Sequence, residues 1–357
     1  MKPAVQLKLD PWASDFEGAV AIADDGSSEP AQVNVRVETE RWEAIEPEDA
    51  GAGTAPLVFI DGVRRVDARL LATTDEGHTF GLLGSFAVGA VRAGHGTPEI
   101  LALTTGRLLI LGRGCVHPGV TVALPGGGCS LDYEAAAVPG PEPEAPLLGL
   151  LAAMRRAEAD LARALAGPAG EARGGPAGAP AGGAGTGAPA GGAGAGALIV
   201  ADGPLAYLER THTPLVGFVK SLHRAYLGSA ELKLLPRLRP GQRTPIFAIL
   251  DKNQRYSWYL RLASIGPAEH ELAGIARLEC GSQCGLTAAQ AIAGRAAGTL
   301  VRFASTRSRD PRSPQNLIPL GGLEAVLRHR LGDHALARRA ITAHLAEQVL
   351  AASAGGL

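Results

Sequence analysis

Residues 198–227 read LIVADGPLAYLERTHTPLVGFVKSLHRAYL. The apolar run Leu198 to Ala201 has the pattern of a buried strand, closed by the carboxylate of Asp202 and the strand breakers Gly203 and Pro204. A charge at the C-terminal lip of such a strand is fixed by the sheet and freed into a cleft by the turn. Asp-Gly is also an ordinary turn signal, so this stretch alone leaves both readings open. After Pro214 the pattern reads as a helix over 213–227 carrying Lys220, His223 and Arg224.

A second stretch, LVFIDGVRR at 57–65, repeats the device: four apolar residues, then Asp61 and Gly62. If the two strands are neighbours in one sheet, Asp61 and Asp202 lie close together. Two close carboxylates repel unless a cation sits between them, and hard oxygen ligands suit magnesium or manganese. A phosphodiester hydrolase of the metal-dependent kind uses such a pair.

The 357 residues suffice for one large domain or two ordinary ones. Hydrophobic residues make up 46% but aromatic ones only 4%, so the core must rest on Leu, Val, Ile and Ala. No apolar run is long enough to cross a bilayer, and MKPAVQLKLDPW lacks the apolar stretch of a signal peptide. A cytoplasmic protein with no membrane partner is expected. With a net charge of -1, any nucleic-acid site must be a local basic groove. Arginines do gather late in the chain, at 237, 239, 243, 302, 307, 309 and 312, as solvated loops also allow. Cys115, Cys129, Cys280 and Cys284 do not form a paired metal-binding framework.

Along the chain, residues 1–50 read as an N-terminal extension with one half-exposed strand at Val33, Val35 and Val37. The first Asp-bearing strand, 57–62, is followed by strands over 81–91 and 99–111, with a candidate turn at 104–107 and meander pairing. The Gly- and Pro-rich residues 118–145 read as loop. From Pro146 to about Ala166 a helix is expected, with Leu147, Leu150, Leu151, Met154 and Leu161 on one face. Residues 167–196, nearly all Gly, Ala and Pro, read as a disordered insertion within one domain spanning 51–357. Strands follow at 245–250, 256–262, 275–278 and 299–303, with a helix at 287–297. The tail reads as helices over 322–331 and 335–352, broken at Gly332-Asp333. Three strands, a helix, a strand and a helix give an α/β class: a ribonuclease-H-like mixed sheet flanked by helices, with additional strands and C-terminal helices. Order alone does not give function.

FIDG at 59–62, VADGPL at 200–205, GFVK at 217–220 and DPRSPQNLIPLGGLE at 310–324 together resemble the signature segments of NurA-type DNA repair nucleases, in the form of a bacterial branch. The resemblance covers most of residues 57–345. It implies manganese- or magnesium-dependent DNA cleavage, as 5′-to-3′ exonuclease and single-strand endonuclease. It also implies a homodimer that processes DNA ends in double-strand break repair with a HerA-type hexameric ATPase. Carried over by position, it makes Asp61, Glu158 and Asp202 metal ligands and Lys220 a phosphate-holding cation, with Asp160 the rival of Glu158. The family's C-terminal histidine has no match in PQNLIPLGGLE, which leaves Asn316 or Glu324 for a fourth site residue.

Arg64, Lys220 and Arg224 are the expected DNA contacts, with Tyr256 or Trp258 stacking on an unpaired base. The missing histidine keeps a rival in view: a non-catalytic ribonuclease-H-like module that binds DNA or the ATPase. The apolar tail, with Leu323, Leu327, Leu331, Ile341 and Leu345, reads both as cover for the sheet and as a dimer surface.

Overall fold

The computed structural model describes residues 32–47, 56–74, 77–94, 96–126, 128–167, 193, 196–205, 214–220, 226–267, 269–306, 308–310 and 312–354. Its strands are β1 (Gln32–Asn34), β2 (Leu57–Thr74), β3 (Gly77–Ala93), β4 (Glu99–Leu111), β5 (Val120–Ala123), β6 (Ser130–Ala137), β7 (Leu198–Asp202), β8 (Leu215–Val219), β9 (Phe247–Leu250), β10 (Arg255–Arg261) and β11 (Ile275–Gly281). The helices are α1 (Ala145–Ala166), α2 (Ser229–Leu232), α3 (Leu286–Leu300), α4 (Ile318–Arg330) and α5 (His334–Ala354). The strands form one mixed sheet in the order β1-β9-β10-β11-β8-β7-β2-β3-β4-β6-β5. β2, β3 and β4 make the expected antiparallel meander. β7 runs parallel to the other edge of β2, and β8 runs parallel to β7.

Alternation along the central strands assigns their faces. Val58 and Ile60 of β2, with Ile199 and Ala201 of β7, pack on Ala162 and Leu165 of α1. Phe59 and Val63, with Val200, Val216 and Phe218, point the other way, onto Ala293, Ala296 and Leu300 of α3 and Leu320, Leu323 and Leu327 of α4. Helix α5 covers the far end through Ala337, Ala340 and Ile341, against Leu83, Leu109 and Tyr133. Of the tail residues expected to cover the sheet, Leu323, Leu327, Leu331 and Ile341 are buried against it and Leu345 packs there half-buried. No described helix is long and apolar enough to cross a membrane.

Several expected elements differ. β2 does not end at Asp61-Gly62, because β3 pairs with it as far as Thr74↔Gly77. No turn divides β4 at 104–107, since Thr104 and Arg107 stay in the ladder opposite Val88 and Ser85. Residues 118–145 are not all loop: alternating Leu131 and Tyr133 carry β6 into the core. Where a helix was expected from 213, Leu215–Val219 is a strand buried on both faces between β7 and β11, so its apolar run shows no period of two. The expected strand at 299–303 is the end of α3 and a 3₁₀ turn over Val301–Phe303. Arg224 and nearly all of the insertion at 167–196 lie outside the described residues.

Candidate active site

The last parallel pair between β2 and β7 is Ile60↔Ala201, so Asp61 and Asp202 each stand one residue further along neighbouring strands. Both follow core residues of the α3/α4 face, Phe59 and Val200, by two positions and so point to that face. Parallel strands lie about 4.8 Å apart, which sets the two carboxylates side by side. Lys220 follows Phe218 by two residues on the same face. Its Nζ lies 2.8 Å from Asp202 Oδ2 and donates to Asn316 Oδ1 at 3.1 Å. Asn316 is fully buried and also donates to Asp310 Oδ2 at 2.5 Å.

Glu158 comes from the opposite face. Gly62 points toward α1, and its missing side chain leaves the space that the Glu158 carboxylate and Met154 fill. Arg155, one helical turn earlier, donates from Nη1 to Glu158 Oε2 at 3.1 Å and to the carbonyl of Asp202 at 3.0 Å. That guanidinium lies against Gly203, whose φ of +91° suits glycine. Asp160 is exposed and pairs with Arg163, so the helix brings Glu158 and not Asp160 to this place.

Asp61, Arg64, Arg65, Arg69, Asp202, Arg312, Glu324, Arg328 and His334 help line a cleft of about 530 Å³. Glu324 closes one side of it, held by Arg312 at 2.7 Å and Arg328 at 3.0 Å. Arg64 lies in the cleft, and its pKa is lowered, first by burial and then by Arg155. Trp258 is 0% exposed in the main core and so offers no face to a base, whereas Tyr256 is half-buried and packs against that core.

Burial, and then the neighbouring Asp202, pushes Asp61 well above the usual carboxylate range; Lys220 opposes this, and Glu158 and Glu324 add to it. Glu158 is also raised, first by burial and then by Asp202, against the pull of Arg155. For Lys220, burial works against the charge, but Asp202 and Asp61 outweigh it and raise its pKa, so the ammonium persists.

These carboxylates crowd one another, and a cation would relieve them. Asp202 Oδ1 is buried and accepts no hydrogen bond. Among the described residues no three His, Cys, Asp or Glu side chains stand close enough to share one ion. Magnesium-like ions are commonly held by one or two carboxylates, with water and substrate oxygens completing the shell. Asp61 and Asp202 fit that smaller set; Glu158, held by Arg155 across Gly62, and Glu324, held by two arginines, do not join it as placed.

The sequence reading missed Arg155, although its i, i+3 spacing to Glu158 was a usable signal. It also missed Glu279, a fully buried carboxylate whose Oε1 accepts the Leu205 N–H at 2.6 Å and so anchors the turn after Asp202. Nothing local in LECGS marks that role.

No family model and no curated protein matches the chain. The crystal structure of the NurA nuclease from Sulfolobus solfataricus aligns over 86% of this chain and 88% of its own, at 10% identity and a TM-score of 0.43, a distant likeness.

Proposed function

We propose that this protein is a metal-dependent DNA nuclease. The observation that carries the reading is the placement of Asp61 and Asp202, side by side on parallel strands at the mouth of an arginine-lined cleft, with one oxygen of Asp202 buried and unpartnered. Asp61 and Asp202 would hold a magnesium or manganese ion. Such an ion, when bound, supplies an acidified water and charge stabilisation at a phosphorus centre. Lys220 fixes the rotamer of Asp202 and adds positive charge beside it. Arg64, Arg312 and Arg328 present cations along the cleft at which phosphates of a strand would sit. Asn316 orients Lys220, and Glu324 orients Arg312 and Arg328.

The finer parts of the proposal follow the sequence resemblance. The block β4-β3-β2-β7-β8, three antiparallel strands followed by two parallel ones, supports a ribonuclease-H-like core. The activity is 5′-to-3′ exonuclease and single-strand endonuclease in double-strand break repair, exerted in the cytoplasm by a homodimer with a HerA-type hexameric ATPase. One observation favours the rival, a non-catalytic module that binds DNA or the ATPase: Glu158, Asp202 and Glu324 each already hold a cationic side chain. Labelled single- and double-stranded DNA, incubated with the protein and either magnesium or manganese, separates the two. Cleavage that needs the metal and disappears in Asp202→Asn supports the nuclease; DNA retention without cleavage supports the module.

A further inference from the structure

Outside the cleft, two thiols face each other. Cys280 Sγ and Cys284 Sγ lie 3.9 Å apart. Cys280 closes the buried part of β11 at 1% exposure, and Cys284 sits half-buried in the single 3₁₀ turn Ser282–Cys284. That turn lies between Gly281 and Gly285, and a Cβ added at either would meet nothing within 4 Å. It is therefore loosely enclosed, while the strand behind it is fixed. A disulfide has an S–S distance of about 2.0 Å, so the sulfurs must close by about 2 Å, a shift taken up mainly by the turn that carries Cys284.

We propose that Cys280 and Cys284 form a thiol–disulfide exchange site that closes to an internal disulfide on meeting a low-molecular-weight disulfide. Cys284 is the attacking group: it is the more exposed, and the hydrogen bond from Cys280 holds its pKa down to about 7 against burial. The same shared hydrogen bond, then burial, pushes Cys280 up and keeps it a thiol. The Cys284 thiolate attacks one sulfur of the small disulfide, forming a mixed disulfide and expelling the first small thiolate. With the Cys284 thiolate consumed, Cys280 gives up its proton, attacks Cys284 Sγ as the thiolate and expels the second small thiolate, which takes up that proton. The protein dithiol is oxidised by two electrons, the small disulfide is reduced to two thiols, and the two protein thiol protons end on them. Closure ties the end of β11 to the residue in front of α3.

The test is to incubate the full chain with oxidised glutathione, block free thiols, digest with trypsin and weigh the peptide spanning 278–295, which contains both cysteines. The expected product lacks two hydrogen masses relative to the reduced peptide and regains them with dithiothreitol. Cys115 and Cys129, together on the separate peptide 114–155, serve as internal references. In Cys280→Ser the expected species is a persistent glutathione adduct at Cys284. A wild-type peptide that stays reduced, or that carries glutathione at Cys284 without closing, overturns the proposal whether or not the variant folds.

Discussion

Lys220 Nζ sits 2.8 Å from Asp202 Oδ2 and 3.1 Å from Asn316 Oδ1, so one ammonium ties the ends of β7 and β8 to the loop in front of α4. The two side chains of the ion pair are 20% and 21% exposed, between the surface and buried cases. Surface pairs contribute about 0–1 kcal/mol, and breaking buried ones costs about 3–5 kcal/mol. Lys220→Met should therefore cost about 2 kcal/mol in urea denaturation without divalent ions. Removing the ammonium also leaves Asp61 and Asp202 to repel, so manganese should raise the melting temperature of the variant more than that of wild type. Equal shifts, or none, would count against a cation held by these two carboxylates.

Asp61 gives a pH signature. Burial and Asp202 raise its folded pKa, so the folded state holds its proton more tightly than the unfolded state does. Its contribution to stability is fully present below the unfolded value near 3.8 and is lost as pH rises through the raised folded value. Asp61→Asn removes that penalty. The variant should be more stable than wild type at pH 8 in the absence of metal, and the gap should narrow as pH falls toward 4. DNA cleavage by the same variant should drop by about 100-fold or more, as expected for loss of a metal ligand. A variant that cleaves normally, or a stability gap that widens on acidification, would refute the assigned role.

The strands that carry Asp61 and Asp202 were legible because buried parallel strands announce themselves as short apolar runs, and the carboxylates after them stand out. The same property hid β8, since LVGFV flanked by Pro214 and Lys220 has no period that tells strand from helix. β6 was hidden by composition: the glycines and prolines around it masked the alternation of Leu131 and Tyr133. Glu158 was distinguishable from Asp160 only in three dimensions, because the choice depends on Gly62 lying beneath that turn of α1. Trp258 and Tyr256 read as a stacking surface in sequence because aromatic residues in a strand look alike whether they face solvent or core.

Gly62 is a position where an added methyl has a definite consequence. A Cβ there would collide with Glu158 Oε1 and crowd Met154 Cγ. Gly62→Ala should therefore push Glu158 away from β2 and loosen its contact with Arg155. Overpacking of this kind costs about 1–3 kcal/mol. If Glu158 serves the site through its position, cleavage should fall more steeply than stability, and Glu158→Gln should reproduce the loss of cleavage without the loss of stability. Full activity in Gly62→Ala with an intact fold would remove Glu158 from the working set.

Arg65 lines the cleft, yet its donors are engaged inside the protein. Nε donates to Asp67 Oδ1 at 2.7 Å, while Nη1 and Nη2 donate to the carbonyls of Gly332 and Leu331 at 2.6 and 3.1 Å. Asp67 is 1% exposed, and its other oxygen accepts from Tyr133 at 3.0 Å and from Ser85. The Tyr133 hydroxyl is accordingly pushed up, first by burial and then by the Asp67 charge. The group lies on the β-bulge of β2 between Val66 and Ala68, and Arg65 pins the turn between α4 and α5 to it. Arg65→Met would strand a buried carboxylate with two neutral donors, at a cost of about 3 kcal/mol. The opposing expectation is that Arg65 is a phosphate contact, in which case stability would hold while DNA binding weakened and its salt dependence became shallower. Denaturation and salt-titrated DNA binding, measured on the same variant, decide between them. We expect the stability loss to dominate and the salt slope to stay unchanged; a stable variant with a shallower slope would move Arg65 from the scaffold to the DNA-binding surface.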